Sequence, residues 1–398
     1  MAERIRVMVI SEPGKAGVKR HVIDLLRRID LDAFDVYFVY SFERSDAAYA
    51  GEIAELESRG MTCLEIPMDA PLSVKKDSQA FKTLVREMRR IRPHVVHLHS
   101  SKAGGLGRLA ALCVRPRPRV VYTPHAMACH RSRFYWGIEV VLGLMTDRTV
   151  AVSKSEQADW VRWKIPKAQR AAVIPHGFES PSVPLVDHRE IPAGTSWSFG
   201  ACGRICRQKN ALLMFQTALE MLRRDAHARF VWIGDFSEDE EAQAVKQLLD
   251  EAGNPERLAV TGWVSDPEKR MRELDVFCMI SRYEGLSYVL AEAQLLRLPV
   301  VGVDAPGVID LIQHDQTGVI AAPQVDALCD ALITLRDDRE LRSRLGESAR
   351  QELVLNYSFP KMVGAIEGVY RDMSRRGKPS VESVHRTQPG SLLEQGRS

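Results

Sequence analysis

A chain of 398 residues is too long for one ordinary hydrophobic core and fits two domains of common size. With 45% hydrophobic and 27% charged residues it has the composition of a folded globular protein, which excludes disordered and collagen-like classes. The net charge of +3 conceals an asymmetry: residues 1–200 carry 30 Lys and Arg against 22 Asp and Glu, residues 201–398 carry 25 against 30, and the excess is densest over 101–150, with 8 against 2. A basic first half suits an anionic partner such as phosphate or a membrane surface, although a scattered solvated surface would give the same count.

In chain order, Arg6–Ile10 is a short apolar run soon followed by Glu12 and Lys15, so it is a first strand and not a signal peptide. Helices are predicted over Val18–Arg28, Ala47–Ser58 and Ser78–Arg90, and strands over Val36–Tyr40, Val95–His99, Val120–Thr123 and Arg148–Val152. Each strand run is short and nearly continuous, as in parallel strands buried on both faces. Strand–helix alternation of this kind means a doubly wound α/β sheet. Periodicity lapses between Phe178 and Thr195, a proline-bearing stretch that reads as a linker.

Alternation restarts with strand Ser198–Cys202, helix Ala211–Arg224, strand Arg229–Ile233, helix Glu240–Ala252 and strand Leu258–Thr261. Strand Val276–Ile280, helix Ser287–Leu296, strand Pro299–Val303 and helices near 326–335 and 338–356 follow. The expected division is a first Rossmann-like domain over 1–180, a linker over 181–197, a second Rossmann-like domain over 198–375 and a polar, disordered tail over 376–398. In such sheets ligands sit at the carboxyl ends of the strands, so the residues just after each strand matter most.

The seven cysteines (63, 113, 129, 202, 206, 278 and 329) form no Cys-x-x-Cys pair, and their dispersal suits reduced thiols in a cytoplasmic protein, with no zinc motif. Phe134–Met145 is the most apolar stretch and falls short of the ~18 residues that a membrane span needs.

The segment Ser281-Arg-Tyr-Glu-Gly-Leu-Ser-Tyr-Val-Leu-Ala-Glu-Ala293 follows an apolar strand, turns at Gly285 and enters a helix. Backbone N–H groups free at that helix start, around Leu286–Tyr288, make a phosphate site, with Glu284 before it and Glu292 two turns inside. Gly203-Arg204-Ile-Cys-Arg-Gln-Lys209 sits directly after another strand. Its glycine admits a ligand to the backbone, and its two cations suit the negative charge of a departing diphosphate. Alone, the first segment reads as a capped helix and the second as surface charge.

Taken together, Gly-Arg-x4-Lys followed by Glu-Gly-x6-Glu-Ala resembles retaining glycosyltransferase family 4, bacterial exopolysaccharide and lipopolysaccharide enzymes included, up to about residue 372. Further matches are Gly14-Lys-Ala-Gly17, His97-Leu-His99, Thr123-Pro-His125, Trp232-Ile-Gly-Asp235, Thr261-Gly-Trp-Val264 and Asp304-Ala-Pro-Gly-Val-Ile-Asp310 with Thr317-Gly318. The resemblance implies the GT-B fold, two Rossmann-like parallel-sheet domains facing a central cleft. It implies sugar transfer from a nucleotide-sugar donor to a saccharide or polyprenyl-linked saccharide in cell-surface polysaccharide synthesis, without metal or cofactor. Arg204 and Lys209 would neutralise the donor diphosphate and Glu292 would hold the ribose. Glu284 would meet the sugar or its phosphate, helped by the backbone of Gly285, Leu286 and Ser287. Gly203 and Gly17 would approach the diphosphate from either side, and His125 would lie at the reacting centre. His99 and Lys102 fall on the acceptor side.

The chain departs from the family at Lys15-Ala16, where Gly-Gly is frequent, at His176, which replaces a usual Asn, and at Asp310, which replaces a usual Glu. Asp30-Leu-Asp32 has the form of a metal motif but lies in a polar connection, where a loop or cap role is expected. His97 and His99 share a strand face and lack further ligands in sequence. No nucleic-acid module is present. Arg115–Arg119 and Arg131–Trp136 mix cations and aromatics, suited to an anionic membrane on the cytoplasmic side, while the helix after Phe134 could equally be a buried one. Two alternatives use the same fold: a non-hydrolysing nucleotide-sugar epimerase, and a non-catalytic nucleotide-binding partner.

Overall fold

The computed structural model describes residues 3–69, 73–125, 133–253 and 255–375. The expected tail over 376–398, Cys129 and Arg131 lie outside these.

The first half runs β1 (Ile5–Ser11), α1 (Ala16–Arg28), β2 (Phe34–Tyr40), α2 (Tyr49–Ser58), β3 (Thr62–Glu65), α3 (Val74–Ile91) and β4 (Val95–His99). It continues with α4 (Ser101–Leu112), β5 (Arg119–Thr123), α5 (Arg133–Leu144), β6 (Arg148–Ala151), α6 (Lys154–Arg162) and β7 (Ala172–Val173). All seven strands pair in parallel, in the order β3-β2-β1-β4-β5-β6-β7.

The second half runs β8 (Trp197–Cys202), α7 (Ala211–Arg224), β9 (Ala228–Ile233), α8 (Glu240–Glu251), β10 (Leu258–Val260), α9 (Pro267–Met271) and β11 (Val276–Met279). Then come α10 (Tyr288–Leu295), β12 (Val300–Val303), β13 (Val319–Ala321), α11 (Val325–Asp337), α12 (Arg339–Asn356) and α13 (Phe359–Ser374). Its six parallel strands order as β10-β9-β8-β11-β12-β13. β4 and β11 are buried along their whole length, which explains their unbroken apolar runs. In each sheet the strand order reverses at one point, between β1 and β4 and between β8 and β11. Crevices open there at the carboxyl ends.

Several elements have no counterpart in the sequence expectation: α6, β7, α9 and β13, together with β3, α4 and α13. β3 is four residues long and only half-buried, too short and too little apolar to show as a strand. α4 contains Gly104, Gly105 and Gly107, which lower helix propensity. A Cβ at Gly107 would lie 2.3 Å from Leu98, so the absent side chain lets this helix seat against β4. α13 was expected to belong to the second domain. Its buried residues Phe359, Met362, Val363, Ile366, Val369 and Tyr370 instead share one core with Val7, Val9, Val95 and Val121 of the first sheet. The division at residue 375 is therefore corrected: the last helix crosses back, because its apolar stripe has its matching face there.

Polar bonds fix this crossing. Within the first sheet, His97 Nδ1 lies 2.6 Å from the Tyr370 hydroxyl and His97 Nε2 lies 2.8 Å from Thr123 Oγ1. Glu367 accepts from the Asp30 backbone N–H at 2.9 Å. Asp30 itself caps the turn after α1 by accepting from Asp32 N at 2.9 Å, the loop role expected of it.

Ile366→Ala is expected to cost about 2–5 kcal/mol of stability in denaturant titration, through the cavity left beneath α13. His97 is fully buried, and burial, with the neighbouring His21 second, pushes its imidazole down to about 3 from an ordinary 6.5. The unfolded chain then takes up the proton first, so stability is expected to fall as pH drops from about 6.5 toward 3, by up to about 1.4 kcal/mol per pH unit for this group. Melting temperatures between about pH 7 and pH 5 check this. His97→Gln should start less stable and lose less on acidification.

Candidate active site

The crevice of the second sheet is built by the two turns after β8 and β11. Gly203 has φ +136°, and a Cβ there would lie 2.8 Å from Lys209 Cε, so a glycine is needed both for the turn and for the lysine's passage. Lys209 Nζ reaches Glu284 Oε1 at 2.7 Å, and both side chains are largely buried. Gln208 Nε2 supports the same loop through Tyr283 O at 3.2 Å and Glu284 Oε2 at 3.3 Å. The Glu284 backbone N–H donates to Pro306 O at 2.8 Å. Arg204 is exposed at the rim.

Gly285, Leu286 and Ser287 are buried, and Ser287 caps α10 by accepting from Leu290 N. Glu292, on the second turn of α10, is 5% exposed. Burial pushes its carboxyl above the usual range, and the Arg20 guanidinium beside it pulls the other way.

Arg20 comes from α1 of the first domain and donates to Glu292 Oε1, bridging the cleft. Its guanidinium also lies 4.8 Å from the centroid of the Tyr288 ring. α1 can come this close because a Cβ on Gly17 would lie 3.2 Å from Tyr288. Gly17 thus sits where the domains meet. A second bridge joins α6 to the second domain. Asp310 Oδ1 accepts from Lys154 N at 2.9 Å and Ser155 N at 3.1 Å, its Oδ2 accepts from the Ser155 hydroxyl, and Gly307 N donates to Ser155 Oγ at 2.8 Å. Asp310 places a negative charge at the first turn of α6, where free N–H groups favour it.

The crevice of the first sheet is lined by imidazoles. The sequence offers His97 and His99 no neighbouring ligand, whereas the fold brings His21 of α1, His125 after β5 and His176 after β7 to them. His99 Nδ1 lies 3.0 Å from His125 Nε2, and His176 Nδ1 lies 2.9 Å from His21 Nδ1. The His21 and His125 rings are 4.7 Å apart, and His176 stacks on Tyr288 at 4.7 Å across the cleft. Burial pushes His21 down to about 3 and His99, His125 and His176 well below their ordinary values. All of them are neutral at pH 7. They can give or take hydrogen bonds, and they add no charge. His125 has φ +56°, a strained backbone for a non-glycine residue and one that favours a functional position.

The structure therefore gathers Gly17, Gly203, Lys209, Glu284, Gly285, Leu286, Ser287, Glu292, His99 and His125 about one cleft, with Arg204 at its rim. Lys102, three residues past the end of β4, binds both carboxylate oxygens of Asp77 through its ammonium, at 2.7 and 2.8 Å, and so ties α4 to α3. Sequence reading missed Arg20, His21, His176 and Tyr288 as site residues. The spacing of Gly17, Arg20, His21 and Asp24 along one helical face carried the signal, since polar residues on a face expected to be buried need partners.

Two family models match, the description "Glycosyltransferase Family 4" over residues 16–180 and "Glycosyl transferases group 1" over residues 197–338. The chain is 26% identical over 378 residues to the UDP-Gal:alpha-D-GlcNAc-diphosphoundecaprenol alpha-1,3-galactosyltransferase of Escherichia coli, covering 91% of this chain and 95% of that protein. It is 22% identical over 367 residues to the capsular polysaccharide biosynthesis glycosyltransferase CapM of Staphylococcus aureus, covering 88% and 92%. Its fold matches that of the Anabaena protein HepE, solved with UDP and glucose, with a TM-score of 0.74 at 16% identity over 92% of this chain and 100% of the other. Two matched models across both domains, two parallel sheets with GT-B neighbours and a cleft holding the motif residues lead to one conclusion: the chain belongs to glycosyltransferase family 4 and is a glycosyltransferase.

Proposed function

We propose that the protein transfers a sugar from a uridine diphosphate donor to a saccharide or polyprenyl-linked saccharide, with retention of configuration and without a metal cofactor. The observation that carries this reading is the convergence of Lys209, Glu284 and Glu292 on the start of α10, at the switch point of the second sheet, opposite neutral histidines of the first. The relatives support it. The E. coli protein is named for a UDP-galactose donor and a diphosphoundecaprenol-linked acceptor, and the S. aureus protein for capsular polysaccharide. The same relatives weigh against the epimerase and non-catalytic alternatives.

In this reading the donor diphosphate lies between Lys209, Arg204 and the first N–H groups of α10, where cations and helix dipole act together in a water-poor cleft. Glu292 accepts the ribose hydroxyls, exchanging or sharing its contact with Arg20. The bond from the anomeric carbon to the phosphate oxygen breaks, the acceptor oxygen bonds the same face of that carbon, and its proton passes to the departing phosphate. His125, held neutral, hydrogen-bonds a hydroxyl of the sugar without adding positive charge beside a cationic transition state. Trp263, 76% exposed just after β10 and beside the Gly234–Gly262 bridge, offers an indole face for the base.

The basic first half receives the acceptor at a lipid surface. α5, expected from sequence to be a buried helix or an interfacial one, is half exposed, with Phe134 65%, Val141 54% and Leu144 67% accessible. Exposed Arg115, Arg117 and Arg119 lie on the neighbouring segment, and Arg117 donates to Met145 O at 2.6 Å. Arg117 and Arg119 also pair with Asp147, at 3.3 and 3.2 Å, and exposed apolar side chains with cations near one end of the helix suit an anionic bilayer. No helix among the described residues is long and apolar enough to cross a membrane.

Lys209→Ala is expected to lower kcat/KM by about 100-fold or more, the cost of one charge-stabilising donor. Glu292→Ala should raise the donor Kd by about 10–100-fold, read by thermal shift against a panel of nucleotide sugars. Unchanged values in both variants reject the site. Activity should survive a chelator, and the product should keep the donor's anomeric configuration by NMR. Phe134→Asp with Leu144→Asp should release the protein from anionic vesicles at low salt; equal retention of both proteins would remove the membrane face.

A further inference from the structure

We propose that His21, His99 and His125 form a binding site for a zinc-type divalent ion, and that the bound ion blocks the sugar end of the cleft. Three separate elements supply the ligands: α1, the last residue of β4 and the loop after β5. One ring nitrogen from each lies within 4.8 Å of the other two. The Nε2 atoms of His21 and His99 are buried and have no hydrogen-bond partner, an expensive state for a polar atom with nothing else to do. His97, next to them, shows the contrast: both of its nitrogens are bonded, to Tyr370 and Thr123, and it is no ligand.

The chemistry of the donor set selects the ion. Neutral imidazoles without a carboxylate among them suit zinc, nickel or copper and do not suit magnesium or calcium. Zinc–nitrogen bonds of about 2.0–2.1 Å in a tetrahedron set ligand nitrogens about 3.4 Å apart, so binding would draw the three rings closer together. His176 Nδ1, at 2.9 Å from His21 Nδ1, takes the outer position that orients a metal-bound imidazole. His125 is partly buried, the least enclosed of the three. The ion is an inhibitor here and not a cofactor, because it engages the histidine that would otherwise meet the sugar. That second half of the proposal rests on the function proposed above; the binding half does not.

The full-length chain, stripped of metal, is titrated with Zn²⁺ against a chromophoric chelator, and with Co²⁺ for its absorption spectrum. One equivalent of zinc, intense tetrahedral cobalt bands, and affinity at least tenfold weaker in both His21→Gln and His99→Gln support the site. Both variants are checked for an intact melting transition, and His227→Gln, an exposed histidine of the second domain, should bind as the parent does. No binding to the parent chain, or binding that neither variant weakens, overturns it, and the cobalt spectrum of the parent decides the matter should a variant fail to fold. Transfer activity should fall on zinc addition and return with chelator. Zinc bound at the cluster without loss of transfer overturns the blocking half, and with it the placement of His125 at the sugar, while the metal site stands.

Discussion

A chain that folds into two separate parallel sheets must still hold their carboxyl edges opposite each other, and in this protein α13 is the tie that does so. It leaves the second domain after Tyr357 and buries Phe359, Met362, Ile366 and Tyr370 against β1 and β4, the two strands whose ends form the first crevice. Tyr357 N and O stay with the second domain and the linker, where Phe178 N donates to Tyr357 O at 2.7 Å. The Phe178–Tyr357 contact and α13 are therefore neighbours in the chain.

Within the cleft, charges are paired before any ligand arrives. Lys209 faces Glu284, and Arg20 faces Glu292. Buried ions of one sign would be costly, so each pair keeps the site charge-balanced. An anionic donor adds negative charge to the lysine side and hydroxyl donors to the glutamate side, and each of those groups already has a partner to share or release. The histidines opposite are kept neutral by burial, which leaves Lys209 and Arg204 of the second domain and Arg20 of the first as the positive charges of the cleft.

The Arg20–Glu292 contact, the Tyr288–His176 stack and the Asp310 cap on α6 all cross between the domains. The first pairs two charges, the second two rings, and the third a charge with a helix start. Asp310 holds the domains together through Ser155. His176 extends the imidazole cluster to the second domain through Tyr288.

By itself the sequence determined the two alternating domains, their parallel strands and the motif residues after β8 and β11, because buried parallel strands and strand-end turns leave local patterns of apolar runs, glycines and charges. β3, α4 and α13 were not readable, since a four-residue half-exposed strand, a glycine-bearing helix and a helix whose apolar stripe could serve either core carry no local signature of their place. Only the tertiary structure decided that His21, His99, His125 and His176 meet, that Lys102 pairs with Asp77, and that Arg20 reaches Glu292. These contacts join residues as much as 272 positions apart. They depend on the order of strands and the crossing of α13, which pairing geometry sets and residue spacing does not.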